Sequence, residues 1–196
     1  MEIKEAKELA ISALVLAMAF SIALNGGVQG LSRLTVDAVL ISMVTVSLGF
    51  LLHEMGHRFV ARRYGSYAEY RMWKHGLGLA LLMSFFGWVF AAPGAVMIHP
   101  RADLWGRRHE LTIRRTGLIS LVGPLINVVL AVAFTVLSFA YPPYGLISNF
   151  GASINMWLAL FNMVPFPPLD GSKVFAWDKR IWLAASAAIV VLWMVL

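Results

Sequence analysis

The sequence predicts an all-α, polytopic membrane protein with about five transmembrane helices plus a re-entrant, partly β segment at 77–98. Composition, the spacing of apolar runs and the distribution of positive charge support this prediction. Of the 196 residues, 60% are hydrophobic and 13% are charged. A soluble domain has about 45–50% apolar and about 25% charged residues. The excess lies in long runs, which is typical of membrane proteins.

Six apolar runs divide the chain, and most approach the length of about 20 residues that a spanning helix needs. They fall at about 9–28, 36–60, 77–98, 116–140, 146–168 and 181–196. We interpret the first run as a retained membrane helix rather than a cleaved signal peptide, because no clear small-residue cleavage site ends it. The chain shows no internal repeat, so we expect one membrane-embedded domain over 1–196.

The distribution of Lys and Arg indicates the topology. If the N-terminus is cytoplasmic and every run crosses the bilayer, these residues divide into 7 inside and 9 outside. If 77–98 dips in and returns, they divide into 15 and 1, with only Arg33 outside. The positive-inside rule favours the second arrangement. Gly and Pro within 77–98 and the β-prone stretch "AVMI" also favour irregular backbone over a simple helix.

Composition also excludes several kinds of site. Cysteine is absent, so the chain has no disulfide, thiolate nucleophile or Cys-based metal site. The net charge of +6 comes from basic residues that flank apolar runs. This pattern indicates cytoplasmic loops of a membrane protein, and we expect no nucleic-acid partner.

The stretch "LLHEMGHRFVARRYG" at 51–65 places ionisable groups in an apolar segment. In a helix, His53 and His57 lie on one face and can hold one metal ion, while Glu54 can reach a water on that ion. The alternative is a chance match to a five-residue motif. Charged residues within membrane helices cost about 2.5–3.5 kcal/mol each and usually mark function. Gly56 would let another helix or a substrate approach closely.

A catalytic zinc site has three protein ligands and one open position. We expect His75, His99 and His109 to be solvated residues in or beside basic loops. Asp170, in "NMVPFPPLDGSKVF", is the remaining candidate. An Asp before Gly and after prolines also suits a turn or a helix cap.

Spacing alone leaves the ligand and cap roles of Asp170 equally open. Topology adds weight to the ligand role. With 77–98 re-entrant, His57 and Asp170 lie toward the cytoplasmic ends of their helices. With 77–98 spanning, the two side chains lie on opposite sides of the bilayer and cannot share an ion.

Four motifs together resemble the site-2 protease family of intramembrane zinc metalloproteases. They are HExGH at 53–57, "APGAVMIHP" at 92–100, "GPLIN" at 123–127 and N-x-x-P-x-x-P-L-D-G at 162–171. The resemblance covers roughly 45–175 and implies a catalytic core at about 36–175. It is to a minimal form of the family, without PDZ-like or CBS-like domains.

The resemblance implies that His53, His57 and Asp170 hold one Zn²⁺ per chain and that Glu54 is the general base. It implies that Asn162 contacts the substrate backbone. Asn127 would either contact substrate or pack helices.

A substrate helix must unwind before its peptide bonds are attacked, because they are hidden in intrahelical hydrogen bonds. We expect the strand-like residues Gly94, Ala95 and Val96 to bind the unwound segment by β-addition. A simple loop wall at 94–98 is the alternative.

The resulting hypothesis is an intramembrane zinc endopeptidase that cuts transmembrane protein substrates, in regulated intramembrane proteolysis, within a prokaryotic cell membrane. The alternative is a metal-binding transporter that uses the same His, Asp and Glu cluster. A third reading, a catalytically dead relative that binds membrane proteins, is disfavoured by the presence of Glu54. The polar groups cluster at one depth and no inverted repeat is evident, which favours the enzyme over the transporter. The sequence does not indicate an oligomeric state.

Overall fold

The computed structural model describes residues 2–100 and 111–196. Within them the chain is mostly helical, with one two-stranded sheet. The helices are α1 (Ile3–Leu24), α2 (Val36–Arg63), α3 (Lys74–Ser84), α4 (Ile113–Ala140), α5 (Gly145–Asn162), α6 (Asp170–Trp177) and α7 (Lys179–Val195). The strands are β1 (Ser66–Met72) and β2 (Gly94–Pro100), and short 3-10 turns lie at Gly27–Arg33 and Pro142–Tyr144.

Three of these helices, α1, α2 and α4, are long and apolar enough to cross a membrane. Helices α5 and α7 have 18 and 17 residues, which is near the lower limit of about 17 residues for a span. The chain is therefore a membrane protein with three clear candidate spans among the described residues. The prediction of five spans is not confirmed.

Helices α2 and α4 pack closely and run in opposite directions. Near the C-terminal end of α2, the His57 ring contacts the backbone carbonyl of Ile119, and further back Asn127 contacts the carbonyl of Gly49. Gly56 permits this approach, because a Cβ there would collide with the side chain of Ile126. The start of α4 lies beside the end of α2. The chain therefore leaves α2 and enters α4 at the same end of the helix bundle.

That intervening segment contains the sheet. Strands β1 and β2 are antiparallel, with Ser66 opposite Pro100 and Met72 opposite Gly94. Helix α3 lies in the connection, and its 11 residues extend about 16 Å, well short of an apolar thickness of about 30 Å. The strand expected within 94–98 is present as β2. Strand β1 was not predicted, because its sequence "SYAEYRM" has no long apolar run.

The main apolar core lies between α1, α2, α5 and the sheet. Its largest members include Leu16 and Phe20 from α1, Phe50 from α2 and Tyr70 from β1. The Phe20 ring meets the edge of Trp157 from α5, with the ring centroids 5.3 Å apart. Helix α1 is thus held against the same helices and strand that surround the candidate site.

The apolar run at 146–168 is not one helix, because α5 ends at Asn162 and α6 begins at Asp170. Three prolines between them cannot donate backbone N–H groups to a continuing helix. The basic loop expected at 99–115 includes 101–110, which lies outside the described residues, as does His109.

Candidate metal centre

The two histidines of α2 face a common point. His53 and His57 are each 5% exposed, and their ring centroids are 4.6 Å apart. Both Nε2 atoms point to Asp170 Oδ2, at 3.1 Å from His53 and 2.9 Å from His57. The i, i+4 spacing places both rings on one side of the helix, as the sequence predicts.

Asp170 reaches this point from α6, far along the chain. It is the first residue of α6, while Leu169 occupies the N-cap position, and no side chain caps this helix. The Asp170 carboxylate therefore faces the two histidines and, at 3.4 Å, the Lys173 ammonium. Of the two roles that the spacing left open for Asp170, these contacts favour the ligand.

The three side chains fit a zinc ion. One ligand atom from each of His53, His57 and Asp170 can be chosen so that all lie within 4.8 Å of one another. Two imidazole nitrogens and one carboxylate oxygen are a donor set typical of catalytic zinc, which keeps a fourth position open. At Gly123 of α4, a Cβ would lie 2.5 Å from both Nε2 atoms. The missing side chain leaves room at the point where the ligands converge.

Both histidines are oriented through their second ring nitrogen. His53 Nδ1 contacts Asn127 Oδ1 at 2.6 Å, and His57 Nδ1 contacts the Ile119 carbonyl at 2.8 Å. Because each partner is an oxygen acceptor, a metal bound at Nε2 would leave the proton of each ring on Nδ1. This tautomer leaves the Nε2 lone pairs for a metal, as the second shell of zinc sites usually does.

Asn127 is fully buried, and its amide is fully engaged. Besides accepting from His53, it donates to the Gly49 carbonyl at 3.2 Å and to Asn155 Oδ1 at 2.9 Å. The amide therefore ties α2, α4 and α5 together at the His53 ring. A substrate-binding role for Asn127 stays a prediction, and its contacts favour a role in orienting His53.

Glu54 lies beside the ligands with an unused acceptor. The side chain is 7% exposed, and its Oε2 atom is buried without a hydrogen-bond partner among the described residues. An unpartnered buried carboxylate oxygen is costly and points to a missing donor, such as a water on a bound metal. The adjacent cavity has a volume of about 40 Å³, and one water needs about 10–15 Å³.

The predicted substrate-binding residues line the same cavity. Asn162 lies at the end of α5, where its Nδ2 donates to the Leu158 carbonyl at 3.0 Å. Gly94, Ala95 and Val96 of β2 form another part of the wall. Their role in binding substrate stays a prediction.

Two histidines expected on the surface are there. His75 and His99 are exposed, and the His99 ring stacks on Tyr67 in the sheet with centroids 6.4 Å apart. Sequence reasoning missed Asn155 and the role of Gly123. The sequence signal for Gly123 is its placement with Asn127 in one motif, which does not reveal its position at the two histidines, and Asn155 lies in none of the quoted motifs.

Comparison with known proteins supports a zinc enzyme. The chain is 40% identical over 183 residues to "Putative zinc metalloprotease MJ0611" of Methanocaldococcus jannaschii, which covers 91% of this chain and 87% of that protein. It is 30% identical over 161 residues to "Putative zinc metalloprotease Rip2" of Mycobacterium tuberculosis, covering 74% of this chain and 58% of that one.

A third relative is "Putative zinc metalloprotease YwhC" of Bacillus subtilis, 26% identical over 155 residues, with 67% of this chain and 66% of that protein covered. No profile of a known protein family and no solved structure matches the chain. The relatives are prokaryotic, and their names agree with the donor set at the site. Zn²⁺ is therefore the cofactor that the site fits, and the chain is a zinc metalloprotease. With 40% identity across 91% of its length to one such protein, it belongs to the site-2 protease family.

Proposed function

We propose that this chain is an intramembrane zinc endopeptidase that hydrolyses peptide bonds within or near transmembrane segments of membrane proteins. This is the chemistry of regulated intramembrane proteolysis. The observation that carries the proposal is the depth of the zinc ligands in a helix long enough to span the bilayer. The catalytic core would occupy about 36–175 within a single membrane-embedded domain.

The depth follows from helix geometry. His57 lies six residues before the C-terminal end of α2 at Arg63, which places it about 9 Å from that end. His53 lies one turn deeper. At this depth the site is within reach of an apolar substrate segment and still close to water at the helix end.

Zinc, when bound, supplies an electrophile that polarises the scissile carbonyl and lowers the pKa of a coordinated water. Glu54 is placed to take up a proton beside the ligands and to pass it to the leaving amine, because its Oε2 has no other partner among the described residues. Asp170 contributes a negative charge that offsets part of the metal charge in the low-dielectric interior. Asn127 and the Ile119 carbonyl hold the two rings in place.

The register of the sheet supports β2 as the strand that receives the substrate. Trp73 N–H donates to the Pro93 carbonyl, and Arg71 lies opposite Ala95. Because hydrogen bonding alternates along an antiparallel pair, the backbone groups of Ala95 face β1. Those of Gly94, Val96 and Ile98 point away from β1, along the edge that lines the cavity. An unwound substrate segment would add there, and Ala95 would contact it only through its side chain.

The orientation is part of the proposal. The return of the chain from α2 to α4 on one end of the bundle supports the arrangement in which 77–98 does not cross. With the N-terminus cytoplasmic, the zinc site lies toward the cytoplasmic face of a prokaryotic cell membrane. The partners are then lipid and transmembrane protein substrates.

Purified protein in detergent, incubated with a panel of single-span substrate peptides, tests the proposal. We expect cleavage that a zinc chelator abolishes and that added zinc restores. Glu54→Gln should keep the metal and lose cleavage, since the amide cannot accept the proton. Retained cleavage in Glu54→Gln, or chelator-insensitive cleavage by the wild type, would contradict the proposal.

The same variant separates the enzyme from a metal transporter. A transporter reconstituted in vesicles would move zinc, and Glu54→Gln would change that flux. The enzyme should show no zinc flux above that of empty vesicles. Flux without cleavage would favour the transporter.

A further inference from the structure

The edge of the sheet opposite the cavity is closed by two carboxylates of α1. Tyr70 N–H donates to Glu5 Oε1 at 3.0 Å, and Met72 N–H donates to Glu8 Oε2 at 3.0 Å. Glu5 and Glu8 are three residues apart, so they lie on one face of α1. They take the place that a third strand would occupy beside β1.

A carboxylate suits this edge for a chemical reason. An ionised carboxylate only accepts hydrogen bonds, so it satisfies the backbone N–H groups without offering donors of its own. Bonds of this kind, with a charged acceptor, are stronger than those between neutral groups. In an apolar surrounding an unsatisfied N–H is costly, so the two bonds hold β1 to α1 firmly.

Glu5 also connects the sheet to the zinc helix. Its Oε1 atom accepts a hydrogen bond from Arg58 Nη1 at 2.7 Å, and Arg58 directly follows His57 in α2. Glu5 is 6% exposed and Arg58 is 7% exposed, so the pair is shielded from water. One carboxylate therefore joins α1, α2 and β1.

The sheet consequently has two unlike edges. The outer edge of β1 is occupied by Glu5 and Glu8, while the outer edge of β2 lines the cavity that contains His53 and Glu54. Among the described residues, β2 pairs with no strand other than β1. The height of the β2 edge relative to the zinc ligands depends on how β1 is tied to α1 and α2.

We propose that Glu5 and Glu8 are positioning residues for substrate: they fix the sheet against α1 and α2 so that the β2 edge receives the substrate strand in one register. This rests on the proposed function and assigns these two residues a part in it. Neither residue touches substrate or metal. Their loss should weaken substrate binding and blur its register, and it should leave the zinc ligands in place.

Disulfide trapping in the Glu54→Gln background tests this without turnover, because the chain has no cysteine of its own. The probe is a single-span peptide series with one cysteine at successive positions. The reporter is Met97→Cys, an exposed site on β2. Adjacent strands lie about 4.8 Å apart and disulfides join Cα atoms about 4.4–6.8 Å apart. Glu69→Cys, opposite Met97 on β1, is one strand farther from the peptide and should not cross-link.

With Glu5 and Glu8 intact, cross-linking to Met97→Cys should peak at one peptide position. In Glu5→Ala/Glu8→Ala, we expect the peak to spread over neighbouring positions, with zinc content unchanged. In the active background kcat/KM should fall about tenfold, and kcat should fall with it, because substrate bound in a wrong register does not place its scissile bond at the site. Glu8→Gln keeps an oxygen acceptor for Met72 N–H and should restore a single peak where Glu8→Ala does not.

Glu2→Ala is the matched control, because Glu2 is exposed on the same terminus and caps nothing. Amide hydrogen exchange at Tyr70 and Met72 reports on the bonds independently of substrate, and it should accelerate in the double variant. An unchanged cross-linking peak in folded, zinc-loaded Glu5→Ala/Glu8→Ala would overturn the proposal. Failure of the wild type to cleave any peptide would instead reject the proposed function, since trapping does not depend on turnover.

Discussion

Two buried polar clusters meet on α2, one around Arg58 and one around His53 and the adjacent His57. They differ in how their polar side chains are paired. Around Arg58, the Glu5 carboxylate is matched by a guanidinium and a backbone N–H. Around His53 and His57, three ligand atoms crowd together and Glu54 Oε2 has no partner among the described residues. The Arg58 cluster pairs its opposite charges within the protein, although Arg58 Nε is buried without a hydrogen-bond partner among the described residues. The cluster of His53, His57 and Asp170 has instead the donor set to hold a cation.

The Arg58 cluster therefore holds neighbouring elements together, whereas the histidine cluster on the same helix is suited to bind a metal. Burying ionisable side chains is unfavourable in both clusters, but only the histidine cluster directs lone pairs at a common point. Removing a member of the zinc cluster should affect metal and activity first. Removing a member of the Arg58 cluster should affect packing first.

The largest effect is expected from His53→Ala/His57→Ala. Loss of both imidazoles leaves a single protein ligand, too few for a zinc site. Metal analysis of the purified variant should show near-complete loss of zinc. The control is His75→Ala/His99→Ala, which removes two exposed histidines and should retain one zinc per chain. Equal zinc content in the two variants would reject the site.

Asp170→Asn should reduce zinc affinity strongly and nearly abolish cleavage, because a neutral amide is a poor zinc ligand while the shape is kept. If Asp170 merely capped a helix, the change would cost little, since Asn caps about as well as Asp and even loss of a cap costs only about 0.5–2 kcal/mol. Cleavage assays and zinc titration of Asp170→Asn distinguish the ligand role from the cap role.

Asp178→Asn is the matched control for Asp170→Asn. Asp178 does cap a helix, since its side chain accepts from the backbone N–H groups of Arg180 and Ile181. Asn should replace it with full activity. Similar activity in the two variants would mean that Asp170 is not a ligand.

Asn127→Ala should weaken zinc binding by about 10–100-fold, as loss of a partner that orients a ligating histidine commonly does. The zinc ligands themselves remain, so metal at saturating concentration should restore cleavage. A competition titration against a chelator of known affinity measures the change. Asn149→Ala, an exposed position at the start of α5, should bind zinc like the wild type. Wild-type zinc affinity in Asn127→Ala would show that His53 needs no such support.

The smallest effect is expected beside the Arg58 cluster. Tyr70 donates its hydroxyl to Ser12 Oγ at 2.9 Å, and Tyr70→Phe removes this bond alone. Stability should fall by about 0.5–1.5 kcal/mol, as measured by thermal unfolding in detergent, with zinc content unchanged. Tyr67→Phe removes a longer and less buried hydrogen bond, from Tyr67 to Glu69 Oε2 at 3.3 Å, and should change stability less. Loss of zinc in Tyr70→Phe would show that the two clusters are not separable.

Some of this arrangement is readable from sequence because it depends on local spacing. Helix α2 and the common face of His53 and His57 follow from an apolar run and an i, i+4 pair. The distribution of Lys and Arg predicts that the chain returns before α4, which would place His57 and Asp170 on the same side of the bilayer. Strand β2 was expected from a β-prone stretch after a Pro-Gly pair.

Other parts depend on how distant elements pack, and no local pattern encodes them. Strand β1 is polar, so it contains no apolar run that would predict it. The contact between Asn127 and His53 spans 74 residues, and the contact between Glu5 and Arg58 spans 53 residues. Each is set by the relative rotation of two helices, which composition and hydropathy leave undetermined.

The proposed function requires that the candidate zinc site cuts peptide bonds within or near an apolar segment. Mass spectrometry of the products from a single-span peptide, digested by the wild-type protein in detergent, identifies the bond that is cut. We expect the scissile bond to lie within or next to the apolar segment, and the products to be absent with chelator or in Glu54→Gln. Chelator-sensitive products that arise only from bonds in the soluble flanks, far from that segment, would contradict the account.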